Sequence, residues 1–263
     1  MAEGLSAYVM TLNEEANIAA CLESIAWVED IVVLDSSSTD CTVEIASRYT
    51  PRIYQEEFAG FGRLRNAGLA RCRNNWVLSL DADERATPEL RSEIERTLEA
   101  PRHAAYFVPR KSHFLGHWIR HCGWYPDYRQ PQLFDRRRFR YRDDLVHEGF
   151  ECQGSVGYLR QHVLQYPFRS VGQFLQKMDR YSALRSADMR RAGKRFSALR
   201  LLLSPPFTFF RMYLLRQGFR DGAAGLVLSS LYAYYATLKY VRLWEQAQIP
   251  PAATEGSSLE DAR

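Results

Sequence analysis

The sequence predicts an α/β fold, a mostly parallel sheet flanked by helices, followed by an all-helical C-terminal extension. Three observations predict it. Strand-like and helix-like periods alternate over residues 5–98, the pattern of βαβ units with right-handed crossovers. The uncharged run VLSL ends abruptly in Asp81 and Asp83, as a strand does at the carboxyl edge of an open sheet, where such folds bind ligands. From Ser170 onward only helical periods remain. Of the 263 residues, 46% are hydrophobic and 25% charged, which excludes an intrinsically disordered chain.

In chain order, residues 5–12 read as the first strand. Residues 14–26 read as a helix with Ile18, Cys21, Leu22 and Ile25 on one stripe. Residues 31–34 are continuously apolar, a buried strand. Thr39 or Asp40 then caps a helix through Arg48. Residues 52–54 form a short strand, 61–71 a helix and 76–80 the strand that ends at the acidic pair. Pro88 stands in the first turn of a helix through Leu98. From 104 to 166, aromatics and Arg mix with Gly, Pro and short β-like runs at 105–109 and 132–134. This stretch reads as strands and loops that complete the sheet and form one wall of a cleft.

Residues 171–189 are amphipathic. Residues 201–215 are apolar, and Pro205-Pro206 is expected to break their helix. Residues 222–238 carry no charge and stand at the lower length limit of a spanning helix. Lys239, Arg242 and Trp244 follow, residues suited to a membrane interface. The expected divisions are a catalytic domain over 1–166, a helical region over 167–246 and a disordered tail over 247–263. Between Arg185 and Arg220 there are nine Arg or Lys and one acid, Asp188. That bias calls for an anionic neighbour such as phospholipid, phosphorylated glycolipid or nucleic acid. The five Cys are scattered, odd in number and lack C-x-x-C spacing. They read as reduced thiols in a cytosolic compartment, and the first ten residues lack the pattern of a secretion signal.

Four motifs carry chemistry. In an extended stretch, Asp81 and Asp83 would point the same way and offer oxygen ligands to a hard divalent cation shared with phosphates; a solvated helix N-terminus explains the same acids. Asn13, Glu14 and Glu15 of TLNEE lie in a loop after the first strand, placed either to bond a nucleoside or to cap a helix. Asp35 ends the second strand before a Ser-rich turn, where a carboxylate can accept from a base N–H or close an Asx turn. Arg65 and Asn66 follow Gly60-Phe61-Gly62 at a helix start, within reach of a base or phosphate or on an ordinary helix surface. Neither a Walker loop nor a dinucleotide fingerprint is present. His113, His117 and His121 share a four-residue spacing, but Gly116 and Gly123 argue against the helix a zinc site would need.

Together TLNEE (11–15), LDSSSTDCT (34–42), GFGRLRN (60–66) and LSLDADE (78–84) resemble the family 2 glycosyltransferases of the GT-A fold. The resemblance extends over YFVPRKSHFLGHWIRHCGWYPD (106–127), VHE (146–148) and FFRMYLLRQGFRDG (209–222) to the bacterial subgroup that adds a sugar to the lipopolysaccharide inner core. It implies a nucleotide-diphosphate sugar donor, with UDP-glucose the first choice, and Mg²⁺ or Mn²⁺ held by Asp83 and in part by Asp81. It implies nucleotide-sugar contacts from Thr11, Asn13, Glu14, Asp35, Arg65, Asn66 and Asp81. The base of an inverting displacement is then Glu148, or failing it Asp127. Arg110, Lys111, Arg120, Trp124 and His147 would contact a lipid-linked saccharide acceptor.

Two departures stand out. Ser36, Ser37 and Cys41 replace the two acids and Gly common after the second strand, and Gln165 stands where relatives carry a His, with His162 three residues earlier. Gln165, His162 or water would then complete the metal shell. The basic helical region reads as a platform on the inner leaflet of the cytoplasmic membrane, or as a subdomain with solvated Arg.

Three alternatives compete. A polyprenyl-phosphate glycosyltransferase would need no base. A nucleotidyltransferase would want a Gly-rich basic loop, which TLNEE is not. A nucleic-acid-binding protein would leave both edge carboxylates unexplained, so nucleic acid is not expected as a partner.

Overall fold

A computed structural model of the chain describes residues 4–142 and 149–248. It has two compact units, divided between Pro167 and Phe168.

The first unit is built on a seven-stranded sheet. Its elements in order are β1 (Leu5–Thr11), α1 (Ile18–Ser24), β2 (Asp30–Asp35), α2 (Thr42–Ser47), β3 (Ile53–Gln55), α3 (Phe61–Arg71), β4 (Trp76–Asp81), β5 (Glu84–Ala86), α4 (Pro88–Glu99), β6 (Ala105–Phe107), β7 (Arg110–Phe114), β8 (His117–Trp118), β9 (Pro131–Asp135), β10 (Phe139–Tyr141), β11 (Phe150–Cys152), β12 (Val156–Tyr158) and β13 (Val163–Phe168). The sheet order is β12-β6-β9-β4-β1-β2-β3. Strands β3, β2, β1 and β4 run parallel, and β9 is antiparallel to both β4 and β6. The mostly parallel sheet expected from the alternating pattern is therefore present.

Strands β1, β2 and β4 are hydrophobic on both sides because helices cover both faces of the sheet. Tyr8, Val32 and Leu34 pack with Leu64 and Leu69 of α3 on one face. Val9, Val33 and Leu80 pack with Ile18 and Leu22 of α1 on the other. Gly68 of α3 lies so close to Tyr8 and Leu34 that a Cβ would approach their side chains to 2.9 and 2.8 Å. A four-stranded sheet, β5-β13-β7-β8, and the β10-β11 pair complete the unit. Leu115 and Gly116 turn β7 into β8 with φ of 50° and 83°, the backbone of a tight hairpin.

The second unit is helical among its described residues from Val171 onward: α5 (Val171–Arg191), α6 (Ala198–Phe210), a π-helical turn (Arg211–Leu215), a 3₁₀ turn (Gly218–Asp221) and α7 (Gly222–Gln248). Pro205 and Pro206 do not break α6, which corrects the expected interruption. Their fixed φ suits a helix, and the ladder loses only the N–H groups that would reach Leu201 and Leu202. The irregularity comes later, where the Arg216 N–H donates to the Arg211 carbonyl (2.9 Å), a five-residue step. Among the described residues no helix is long and apolar enough to cross a membrane. Residues 247–248 of the tail expected to be disordered instead end α7, and from 249 onward it lies outside the described residues.

Candidate active site

Three of the singled-out residues meet because parallel strands end in register. Thr11 on β1 pairs with Asp35 on β2, and Met10 pairs with Asp81 on β4. Thr11, Asp35 and Asp81 therefore occupy the carboxyl edge of three adjacent strands, beside the point where the order reverses from β1 to β4.

The loops after β1 and β2 interlock. Ser38 Oγ donates to Asp35 Oδ1 (2.5 Å) and accepts from the Asn13 N–H (2.8 Å). The Ser38 N–H also reaches Asp35 Oδ2 (2.9 Å). Asn13, at φ 54°, accepts the Thr39 N–H on Oδ1 (2.8 Å). The Glu14 N–H donates to Thr42 Oγ1 (2.8 Å), and Glu15 exchanges bonds with Asp40 and Cys41. These cross-links hold residues 13–15 out of the helix, so α1 begins at Ile18 rather than at residue 14. Asp40 closes an Asx turn on the Thr42 N–H (3.0 Å), and α2 starts at Thr42. Asp35 is fully buried and committed to Ser38, while Thr11 Oγ1 is buried without a hydrogen-bond partner among the described residues.

The acidic pair is not extended. Strand β4 ends at Asp81, and Ala82 and Asp83 turn into β5. The shared direction expected of residues i and i+2 in a strand therefore does not apply. A side chain closes this turn: Glu84 Oε2 accepts the Asp81 N–H (3.0 Å) and the Gln132 Nε2 donor (2.8 Å), while Arg110 Nε donates to Glu84 Oε1. Burial pushes the Glu84 carboxyl up to about 7, Arg110 opposes the rise, and Asp81 and Asp83 add to it. Arg65, itself buried, donates to Ser79 Oγ (3.0 Å) and Asp81 Oδ1 (3.2 Å). Asp81 keeps its side chain 33% exposed, whereas Asp83 is buried at 6%. Thr87, not either Asp, caps α4 by accepting the Leu90 N–H.

A family model described as glycosyl transferase family 2 matches residues 6–166. The chain belongs to glycosyltransferase family 2. The glycosyltransferase is 30% identical over 255 residues to the lipopolysaccharide core biosynthesis glycosyltransferase LpsC of Rhizobium meliloti, covering 92% of each chain. It is 26% identical to an uncharacterized glycosyltransferase of Rickettsia felis over 92% of this chain and 90% of that one. Among solved structures it aligns with S. aureus TarS 1-349 in complex with UDP-GlcNAc at 13% identity and a TM-score of 0.47, covering 94% and 93% of the two chains.

Other expected site residues of this glycosyltransferase fall into separate environments. Arg110 departs from an acceptor wall. It is 3% exposed because the buried Glu84 needs a counter-charge. Asn66 pairs both ends of its carboxamide with the Tyr141 backbone, donating at 2.9 Å and accepting at 3.1 Å, and so ties α3 to β10. Lys111 and Arg120 both lie over the Trp118 ring, at 4.9 and 4.3 Å from its centroid, and Trp124 meets Phe114 edge-on. Asp127 bridges to Arg110 through the backbone and pairs with Arg129 (2.9 Å). Gln165 lies opposite Glu84 across β13 and β5 and accepts from Ser112 Oγ (2.9 Å), while His162 Nε2 meets the Tyr125 hydroxyl (3.0 Å). His147 and Glu148 lie outside the described residues.

The donor set suits a hard cation only when shared. Among the described residues no group of three or more His, Cys, Asp or Glu could hold a metal. Asp81 is partly exposed on this turn and Asp83 is buried beside it, so a Mg²⁺ held here would take most of its shell from substrate phosphates and water.

Glu84 and Trp118 escaped the sequence reading as site elements. An acid directly after a two-Asp motif, followed by Arg-Ala in a strand, was the available signal for Glu84. Nothing local singles out Trp118, which draws Lys111 and Arg120 together only in the folded hairpin.

Proposed function

We propose that this glycosyltransferase transfers a sugar, glucose in the first instance, from UDP to a lipid-linked saccharide acceptor of the lipopolysaccharide inner core, with inversion. The observation that carries the donor half is the register of Thr11, Asp35 and Asp81 on one sheet edge. The acceptor half is supported by the name and full-length similarity of LpsC.

In this reading the loop pair 13–15 and 36–42 cradles the nucleoside, with Asp35, Asn13 and Glu14 defining its floor and Thr11 supplying a hydroxyl. Arg65 holds Asp81 in place beside the diphosphate. Asp83 and Asp81 would hold Mg²⁺ or Mn²⁺, which when bound neutralises charge on the leaving diphosphate. Glu148 takes the proton from the attacking hydroxyl, with Asp127 the second choice. Proton transfer of this kind contributes about a hundred-fold or more. Lys111 and Arg120 on Trp118, with Trp124 and His147, offer cationic and aromatic contacts to a phosphorylated sugar. Gln165 on β13, opposite Glu84, or His162 just before that strand, or water, would complete the metal shell.

The test is donor turnover over a panel of nucleotide sugars, with added metal or with EDTA. UDP-glucose with Mn²⁺ should give the highest rate, and Asp83→Ala should abolish metal-dependent turnover while leaving the melting curve intact. Full metal-dependent turnover in that variant would remove Asp83 from the site.

A further inference from the structure

Helix α6 presents its apolar stripe outward. Leu199, Leu202, Leu203 and Phe207 are 65%, 70%, 57% and 59% exposed, and Phe210 is exposed one turn later. These positions follow the i, i+3, i+4, i+8, i+11 spacing of one helix face. No residue of α6 is buried, although the helix packs along α7. A water-soluble helix turns such a stripe inward, and contiguous exposed apolar surface of this kind marks an interaction site.

The charge around the stripe selects the partner. From 190 to 220 the chain has eight Arg or Lys and no acid. Arg200 lies within the stripe's first turn, and Arg211, Arg216 and Arg220 follow its C-terminal end, all exposed. Against a second copy of this chain, a twofold contact would bring together two stripes rimmed by cations, with no acid between 190 and 220 to neutralise them. An anionic bilayer instead satisfies both features, taking the apolar side chains into the acyl boundary and the guanidinium groups among the headgroups.

Length and backbone set the orientation. Thirteen residues of α6 span about 20 Å, short of the ~30 Å hydrocarbon core. Pro205 and Pro206 also remove the N–H groups that would reach the carbonyls of Leu201 and Leu202. A hydrated interface tolerates such carbonyls, and hydrocarbon does not. We infer that α6 lies in the plane of an anionic membrane surface, with Leu199, Leu202, Leu203, Phe207 and Phe210 inserted and Arg200, Arg211, Arg216 and Arg220 binding lipid headgroups. The inference is independent of the donor and acceptor proposed above, since it concerns binding to lipid alone.

The full-length chain is sedimented with phosphatidylcholine vesicles and with vesicles containing phosphatidylglycerol, at low and high salt. It should bind the anionic vesicles and be released by salt. Leu202→Ser with Phe207→Ser should weaken binding at least about tenfold, from the lost apolar insertion. Arg211→Gln with Arg216→Gln should weaken anionic binding by about fivefold per charge and reduce the salt effect. All these side chains are exposed, so circular dichroism and melting should match the parent. The inference fails if the parent does not bind anionic vesicles, or if the Ser variant binds them undiminished. It also fails if sedimentation velocity shows a dimer that the Ser variant splits while vesicle binding persists.

Discussion

Glu84 and Arg110 form a buried ion pair beneath the turn that carries Asp81 and Asp83. The same Glu84 carboxylate receives the Asp81 N–H, so one side chain joins the counter-charge to the turn. The geometry of the acidic motif therefore depends on a residue that need not touch substrate.

Breaking this pair from either side should be costly. Glu84→Ala or Arg110→Met leaves a buried charge without its partner and should cost about 3–5 kcal/mol. The double variant should cost less than the sum of the two, because neither charge remains. Urea unfolding of the four proteins measures the coupling, and simple additivity would show that the pair is not a unit.

Thr11 carries a buried hydroxyl with no hydrogen-bond partner among the described residues. Thr11→Val should therefore leave the ligand-free protein as stable, or stabilise it by up to about 1–2 kcal/mol. If the hydroxyl serves the nucleotide, the donor KM should rise about tenfold, one lost hydrogen bond. Melting and donor titration of the same preparation separate the two effects.

Ser38 joins the loops after β1 and β2 by bonding Asp35 and the Asn13 N–H. Ser38→Ala should cost about 1–2 kcal/mol, since both groups lose a partner. A cradle for the nucleoside would loosen, so KM for donor should rise more than kcat falls. A fall in kcat at constant KM would place the loop's role in the chemical step instead.

Asp30 governs an acid limb of stability. Burial works to raise its pKa, but bonds from Ser6 Oγ, the Arg73 N–H and Arg52 outweigh it and hold the carboxyl below its usual range. With the folded pKa below the unfolded one, this stabilisation is complete above the unfolded value of about 4. It is lost as the pH falls through the folded value. Asp30→Asn should be less stable near neutrality and show a flatter decline in urea midpoint from pH 6 toward pH 3.

Glu148→Ala should lower transfer to acceptor by about 10²–10⁴ while leaving donor affinity unchanged. Asp127→Ala, which removes a carboxylate already paired with Arg129, should cost less than about tenfold. The reverse ranking in steady-state kinetics would make Asp127 the base.

Much of the scaffold was legible locally. The helix read at 61–71 is α3, the strand read at 76–80 is β4 without Asp81, and the helix from Pro88 is α4 with one more residue. Each rests on periodicity and a terminal signal within a few residues of the element. The motifs at 11–15, 34–42 and 78–84 fell at strand ends for the same reason: an apolar run that stops at a polar residue marks the edge of a buried strand.

The sequence by itself determined the parallel strands β1 to β4, roughly where they end, and that acids and small polar residues gather at those ends. Only the tertiary structure decided what those side chains do. Asn13 meets Ser38 across 25 residues, Asn66 meets Tyr141 across 75, and Arg110 meets Glu84 across 26. Those partners compete with the local caps and faces that periodicity describes. A buried polar group takes whichever partner the packed core brings within reach, because leaving it unpaired costs more than any local preference supplies.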